Sequence, residues 1–160
     1  MINVTVIALG KLKESYMREF CAEYEKRLKP FCRLGIVELT PYALPDNPSQ
    51  KQIELALDAE AEKIKEKIPS GSYVVSLCIE GKQKSSEELA NMFNTVSLGG
   101  MSSFVFIIGS SFGLSEKIKA VSDERFSMSR LTFPHQMARV MLLEQIYRAF
   151  SINGGGKYHK

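Results

Sequence analysis

Two segments in the middle of the chain, YVVSLCI (Tyr73–Ile79) and SFVFII (Ser103–Ile108), are apolar with almost no interruption. A strand with one wet face alternates apolar and polar residues. A continuous β-branched and aromatic run fits a strand covered on both faces, as in a parallel sheet between two layers of helices. That requirement sets the fold class: the rest of the chain has to supply the helices.

It does so in regular order. Val4–Leu9 is a short β-branched run ending at Gly10 and reads as the first strand. From about Ser15, Met17, Phe20, Cys21, Tyr24 and Leu28 share one helical face, and Pro30 ends the segment. Leu34–Leu39 is the next strand. TPYALPDNPS holds three prolines in ten residues and reads as a loop. Ser49 caps a helix with the stripe Ile53, Leu57, Ile64 and Ile68, and Ser85 with Glu88 has the spacing of a capping box. A short helix is expected from Glu116, a strand at Phe126–Ser129, extended chain at Leu131–Phe133, and a long helix from about Gln136. The order βαβαβαβαβα predicts an α/β fold, an open, mostly parallel sheet flanked by helices, in a single domain over residues 1–160. There is no internal repeat and no linker between domains.

Composition narrows the function classes. Apolar content of 44% and charged content of 24% are those of an ordinary globular protein. No apolar run approaches the 18 or so residues that span a bilayer. The start MINVTVIALGK lacks the basic region and cleavage site of a signal peptide. Three cysteines without a CxxC pair argue against a disulfide framework or a zinc site, so a reducing, cytoplasmic setting is expected and no metal. The formal charge of +3 is unevenly placed: from Arg130 onward the balance is +4, and before it −1. A basic end of that kind either attracts an anionic partner or is simply a solvated terminus.

The last helix is apolar on almost every azimuth, from Met137 through Val140, Leu142, Leu143 and Ile146 to Phe150. Such a helix is covered on all sides. In a chain this short the remaining cover is a second copy, hence a homodimer, or else the centre of a monomeric core. Glu144 and Arg148 stand i, i+4 in the order that favours a helical ion pair.

Three stretches carry candidate chemistry. FVFIIGSSFGLSE is a strand, a glycine turn and a helix start, at the sheet edge where α/β proteins bind ligands. The turn is neither GxGxxG nor a P-loop, and its glycines serve backbone geometry or close ligand approach. IEGKQKSSEE is a second loop at the same edge, or a solvated loop with a helix cap. SMSRLTFPHQMAR is the least ordinary: Pro134 holds Phe133 extended, and His135 and Arg139 follow on one helical face. With Tyr158 and His159 in the glycine-rich tail, these residues are candidates for substrate positioning or proton handling. Arginine can hold a phosphate bidentately, and tyrosine can stack on an unpaired base. No Ser-His-Asp set, metal cluster or catalytic carboxylate pair is present in the sequence.

GKLK, YEKRLKP, GKQKSSEELA, FVFIIGSSFG, TFPHQMARVMLLEQIYRA and the terminal YHK together resemble the ribosomal large subunit pseudouridine N3-methyltransferases, a branch of the SPOUT methyltransferases. The resemblance runs nearly end to end. It implies a SPOUT-type α/β fold with a deep C-terminal trefoil knot and S-adenosylmethionine as methyl donor. It implies cofactor contacts at Leu77, Gly109, Met128, Ser129, Arg130, Leu131, Thr132 and Phe133. It also implies a homodimer with its site near the subunit interface, acting on N3 of a pseudouridine in 23S rRNA of the assembled ribosome. Two positions depart from the family: Ser110 stands where a second glycine is usual, and Lys157 where proline is common. The competing readings are a non-catalytic rRNA- or ribosome-binding module and a Rossmann-like nucleotide-binding enzyme. Against the latter stands the missing GxGxxG with its acidic partner.

Overall fold

The computed structural model describes all 160 residues. Five strands, β1 (Ile2–Leu9), β2 (Cys32–Leu39), β3 (Tyr73–Gln83), β4 (Ser103–Ile108) and β5 (Glu124–Ser127), form one sheet in the order β2-β1-β4-β3-β5. Every pairing is parallel, so all carboxyl ends lie at one edge. The helices are α1 (Ser15–Leu28), α2 (Gln50–Lys65), α3 (Ser86–Leu98), α4 (Glu116–Val121) and α5 (His135–Asn153).

The period of two along each strand divides the core. Val4, Val6 and Ala8 of β1 and Phe104, Phe106 and Ile108 of β4 pack against α1, α3 and α5. Their neighbours Ile7, Leu9, Val105 and Ile107 face the other way, onto α2 and α4. Both faces of the central strands are therefore dry, as the continuous apolar runs require. On the thicker side Phe93 of α3 anchors the packing, with ring centroids 4.7 Å from Phe104 and 4.9 Å from Phe150. Ser49 and Ser85 form complete capping boxes with Gln52 and Glu88.

Several boundaries differ from the sequence reading. β3 continues through a register shift between Leu77 and Lys82 to Gln83, because backbone of β5 lies against Gly81 where any side chain would collide. β5 ends at Ser127, and Leu131–Phe133 is not a strand, since no neighbouring strand pairs with it. Phe20, expected inside, is 55% exposed. The buried face of α2 is Ala56, Glu60, Ala61 and Ile64, one step around from the expected stripe. A small-residue face lets the helix lie close, and it carries a buried carboxylate that apolar periodicity cannot reveal. α5 is flanked by α1 and α3 and leaves Met137, Val140 and Met141 partly uncovered.

After β5 the chain runs back across the carboxyl ends of β3 and β4. It then enters α5 at His135, which touches Gly10 just beyond β1. This return course places the loop Met128–Pro134 over the sheet edge.

Candidate active site

Beyond the ends of β3, β4 and β5 lies a cleft of about 790 Å³. Its floor comes from Leu77 at the register shift of β3, Ile108 at the end of β4 and Phe126 in β5. One wall is the turn Gly109–Leu114, and the opposite side is the loop Ser127–Pro134 with His135 and Ala138. Of the eight cofactor contacts expected, Leu77, Gly109, Met128, Ser129, Leu131, Thr132 and Phe133 line this single cleft. Arg130 does not; it is exposed and absent from the lining.

The glycine turn is folded on itself. Gly113 N–H donates to Ser110 O at 2.9 Å, and the backbone of Gly113 lies so close to Gly109 that no Cβ fits there. Gly109 is thus required by close packing within the turn. Ser110, the departure from the family, is unstrained: no non-glycine residue in the chain has positive φ. Its hydroxyl donates to Glu60 Oε1 at 2.9 Å, while Glu60 Oε2 accepts from Tyr42 N–H at 2.8 Å. Asp58 on the same helix accepts from Ser115 Oγ at 2.8 Å and pairs with Lys117 at 2.9 Å. α2 therefore braces both ends of the segment that walls the cleft.

Sequence reasoning missed the polar pair inside the cleft. Lys119 of α4 pairs with Glu80 of β3, and both line the cavity. Glu80 belongs to IEGKQKSSEE, so this stretch does contribute to the same edge. Its remainder continues β3 and caps α3. Nothing in local spacing connects residues 39 apart.

The four catalytic candidates do not converge within one chain. His135 lines the cleft, and burial first, then the charges of Arg139 and Lys13, hold its imidazole below the ordinary 6.5. Gly10 (φ 118°) packs against the ring; a Cβ there would sit 2.9 Å from His135 Cε1. Arg139 turns inward and is 3% exposed. It donates to Glu38 Oε2 at 2.7 Å and to Gly10 O at 2.8 Å, which ties α5 to β2 and to the end of β1. Tyr158 and His159 lie nearer the other end of α5. Tyr158 Oη donates to Glu144 Oε1 at 3.0 Å and shares a bond with Tyr24 Oη at 3.2 Å, and the Arg148 guanidinium lies over its ring. Burial and these two bonds push the phenol far above its ordinary value, so it stays protonated. His159 Nε2 is 2.8 Å from Glu87. With about 1.5 Å of rise per residue, Glu144 stands about 13 Å along α5 from His135. The glycine-rich tail that carries both is docked on α1, α3 and α5 of its own chain.

The strand order and the position of the cleft also separate this sheet from a dinucleotide fold. There the ligand straddles the switch point beside the first strand, over GxGxxG. Here the cleft sits over β4, β3 and β5, under a chain that returns from the far edge. Residues 2–159 match the family model described as "Predicted SPOUT methyltransferase". The chain belongs to the SPOUT methyltransferase family. Among its relatives are proteins named ribosomal RNA large subunit methyltransferase H, from Clostridioides difficile (48% identical) and Bacillus pumilus (43%). Each match covers 99% of this chain and 100% of the relative. A putative methyltransferase H of Methanococcus vannielii is 45% identical over the same spans. The fold is shared with a probable methylase family protein of Haemophilus influenzae at TM-score 0.56 and 14% identity, covering 99% of this chain and 71% of that one. A SPOUT methyltransferase takes its methyl group from S-adenosylmethionine. The cleft suits that donor: it is large enough for a cofactor of nucleoside size, about half its lining residues are apolar, and backbone of the glycine turn edges it.

Proposed function

We propose that the chain methylates N3 of a pseudouridine in 23S rRNA within the assembled ribosome, with S-adenosylmethionine held in the cleft between the glycine turn and the loop Met128–Phe133. The observation that carries this reading is the convergence of seven of the expected residues, from β3, the glycine turn after β4 and the loop after β5, on one cavity. The likeness to full-length relatives named for large-subunit rRNA supports the substrate class.

When bound, the cofactor supplies an electrophilic methyl on a sulfonium. The chain's own residues then have two tasks. They hold the pyrimidine edge in line, where positioning alone is worth up to about 7–11 kcal/mol. They also take the N3 proton. His135 is the acceptor that this chain offers at the cleft, because its environment keeps the ring neutral and so able to receive a proton. Arg139 acts on the site indirectly, by fixing Gly10 and α5. Tyr158 and His159 reach a cleft only as part of a second copy, which favours a homodimer with shared sites. The partly uncovered apolar residues of α5 and the exposed Tyr16 and Phe20 of α1 supply apolar surface for that pairing. The course of the chain back over β3 and β4 fits the trefoil-knotted threading of the family, and rRNA as substrate supports a cytoplasmic location.

Mass spectrometry of 23S rRNA from a deletion strain, with and without the gene restored, tests the activity. Loss and return of one methyl on one pseudouridine is expected. Unchanged rRNA, with the purified protein still binding ribosomes, would favour the non-catalytic module.

A further inference from the structure

A second cavity, of about 360 Å³, opens at the same sheet edge on the other side of the Gly10–His135 contact. It lies over β1 and β2 and is separate from the cofactor cleft. Its polar wall is Lys11 and Arg18 with Glu25, Glu38 and Arg139. Glu38 and Arg139 neutralise each other across 2.7 Å. What remains for a ligand is Lys11 and Arg18 as cations and Glu25 as an acceptor.

The loop that carries Lys11 is held from two sides. Arg18 donates to Leu12 O at 3.0 Å and to Lys13 O at 2.7 Å, so α1 clasps the loop. Lys13 N–H donates to Gln136 Oε1 at 3.0 Å and Arg139 to Gly10 O, so α5 clasps it as well. Lys11 enters no ion pair with the protein, in contrast to Lys84, Lys117 and Lys119. Arg139 also retains an Nε–H that is buried without any acceptor. The wall is therefore rigid, cationic at the rim and incompletely satisfied.

We propose that this cavity is a second nucleotide subsite for the RNA, taking the residue next to the target base. It rests on the rRNA reading above and adds a place for the flanking nucleotide. Lys11 and Arg18 hold its phosphate, and Glu25 accepts from an exocyclic amino group on its base. Phosphate contacts of this kind set register, and a carboxylate acceptor discriminates among bases. A volume near 360 Å³ suits one nucleotide. With His135 between the two cavities, a strand lying across the edge presents one base to the cofactor side while its neighbour fills this side.

The test is steady-state methyl transfer to ribosomes from a strain lacking the gene, using the full-length protein as Lys11→Ala, Lys11→Arg and Glu25→Ala. Lys51→Ala on α2 serves as a surface-charge control. Cofactor affinity is measured separately by calorimetry. Lys11→Ala is expected to raise KM for ribosomes roughly 3- to 10-fold, and to lower the log–log salt slope by about 0.7–0.9. Lys11→Arg is expected to restore both. Glu25→Ala is expected to raise KM at unchanged salt slope. Cofactor affinity stays within twofold throughout. Wild-type KM and salt slope in Lys11→Ala, or wild-type KM in Glu25→Ala, overturns the subsite. A wild-type protein that binds S-adenosylmethionine and transfers no methyl to these ribosomes overturns the rRNA reading instead.

Discussion

The hydroxyl of Ser110, in the turn that walls the cleft, donates to the buried carboxylate of Glu60 on α2 at 2.9 Å. The residue that departs from the family's glycine thus has a dedicated partner. Glu60→Ala leaves Ser110 and Tyr42 N–H without their acceptor, in a place where only 4% of the glutamate was exposed. The expected loss is about 1–3 kcal/mol in urea unfolding, with weaker S-adenosylmethionine binding by calorimetry. Ser110→Gly is expected to keep the fold and bind with a similar affinity, since the serine backbone is unstrained. Unaltered cofactor affinity in Glu60→Ala would show that the brace is irrelevant to the site.

Arg139 is a structural tie before it is anything else. Arg139→Ala removes a buried guanidinium and leaves Glu38 and Gly10 O unpaired. A fully buried broken pair costs about 3–5 kcal/mol; with Glu38 about one-third exposed the expected loss is nearer 2–3. The midpoint of thermal unfolding should fall by about 4–12 °C. A variant that loses activity at full stability contradicts this assignment and returns Arg139 to direct chemistry.

His135 predicts a pH dependence with a definite sign. Its imidazole is held below 6.5 in the fold by burial and neighbouring cations. Between 6.5 and that lower value the unfolded chain binds the proton and the folded chain does not. Stability from this group is therefore full above about 6.5 and declines as pH falls through the window. Nitrogen NMR of the imidazole should show the neutral form in the majority at pH 6.5, and His135→Gln should flatten stability against pH there. Gly10→Ala, strained at φ 118° and colliding with the ring, should displace His135 and depress both methyl transfer and stability.

Phe20 is predicted to belong to a subunit contact. It is 55% exposed and stacks on Tyr24, whose hydroxyl meets Tyr158. Phe20→Glu should shift the protein toward monomer in sedimentation velocity at micromolar concentration while leaving its circular dichroism unchanged. A wild-type distribution after this change would exclude that face.

Phe93, with no role at the site, marks the scale of the core. Phe93→Ala should cost about 3–5 kcal/mol, read in the same urea unfolding, because its ring packs on Phe104, Phe106 and Phe150 at once.

The sequence by itself determined the parallel sheet and the capped starts of α2 and α3, and its resemblance to a family pointed to seven residues that line one cleft. Strand runs, capping boxes and the motif TFPHQMAR are local, and local patterns follow the fixed periods of strand and helix. Only the tertiary structure decided which charged groups meet. Arg139 and Glu38 are 101 residues apart, Ser110 and Glu60 50, and Lys119 and Glu80 39. No periodicity encodes such pairs, because strand order and helix packing bring them together. The same holds for Tyr158 and His159: composition grouped them with His135 in one basic chain end, and the fold docks them on Glu144, Arg148 and Glu87, away from the cleft that His135 lines.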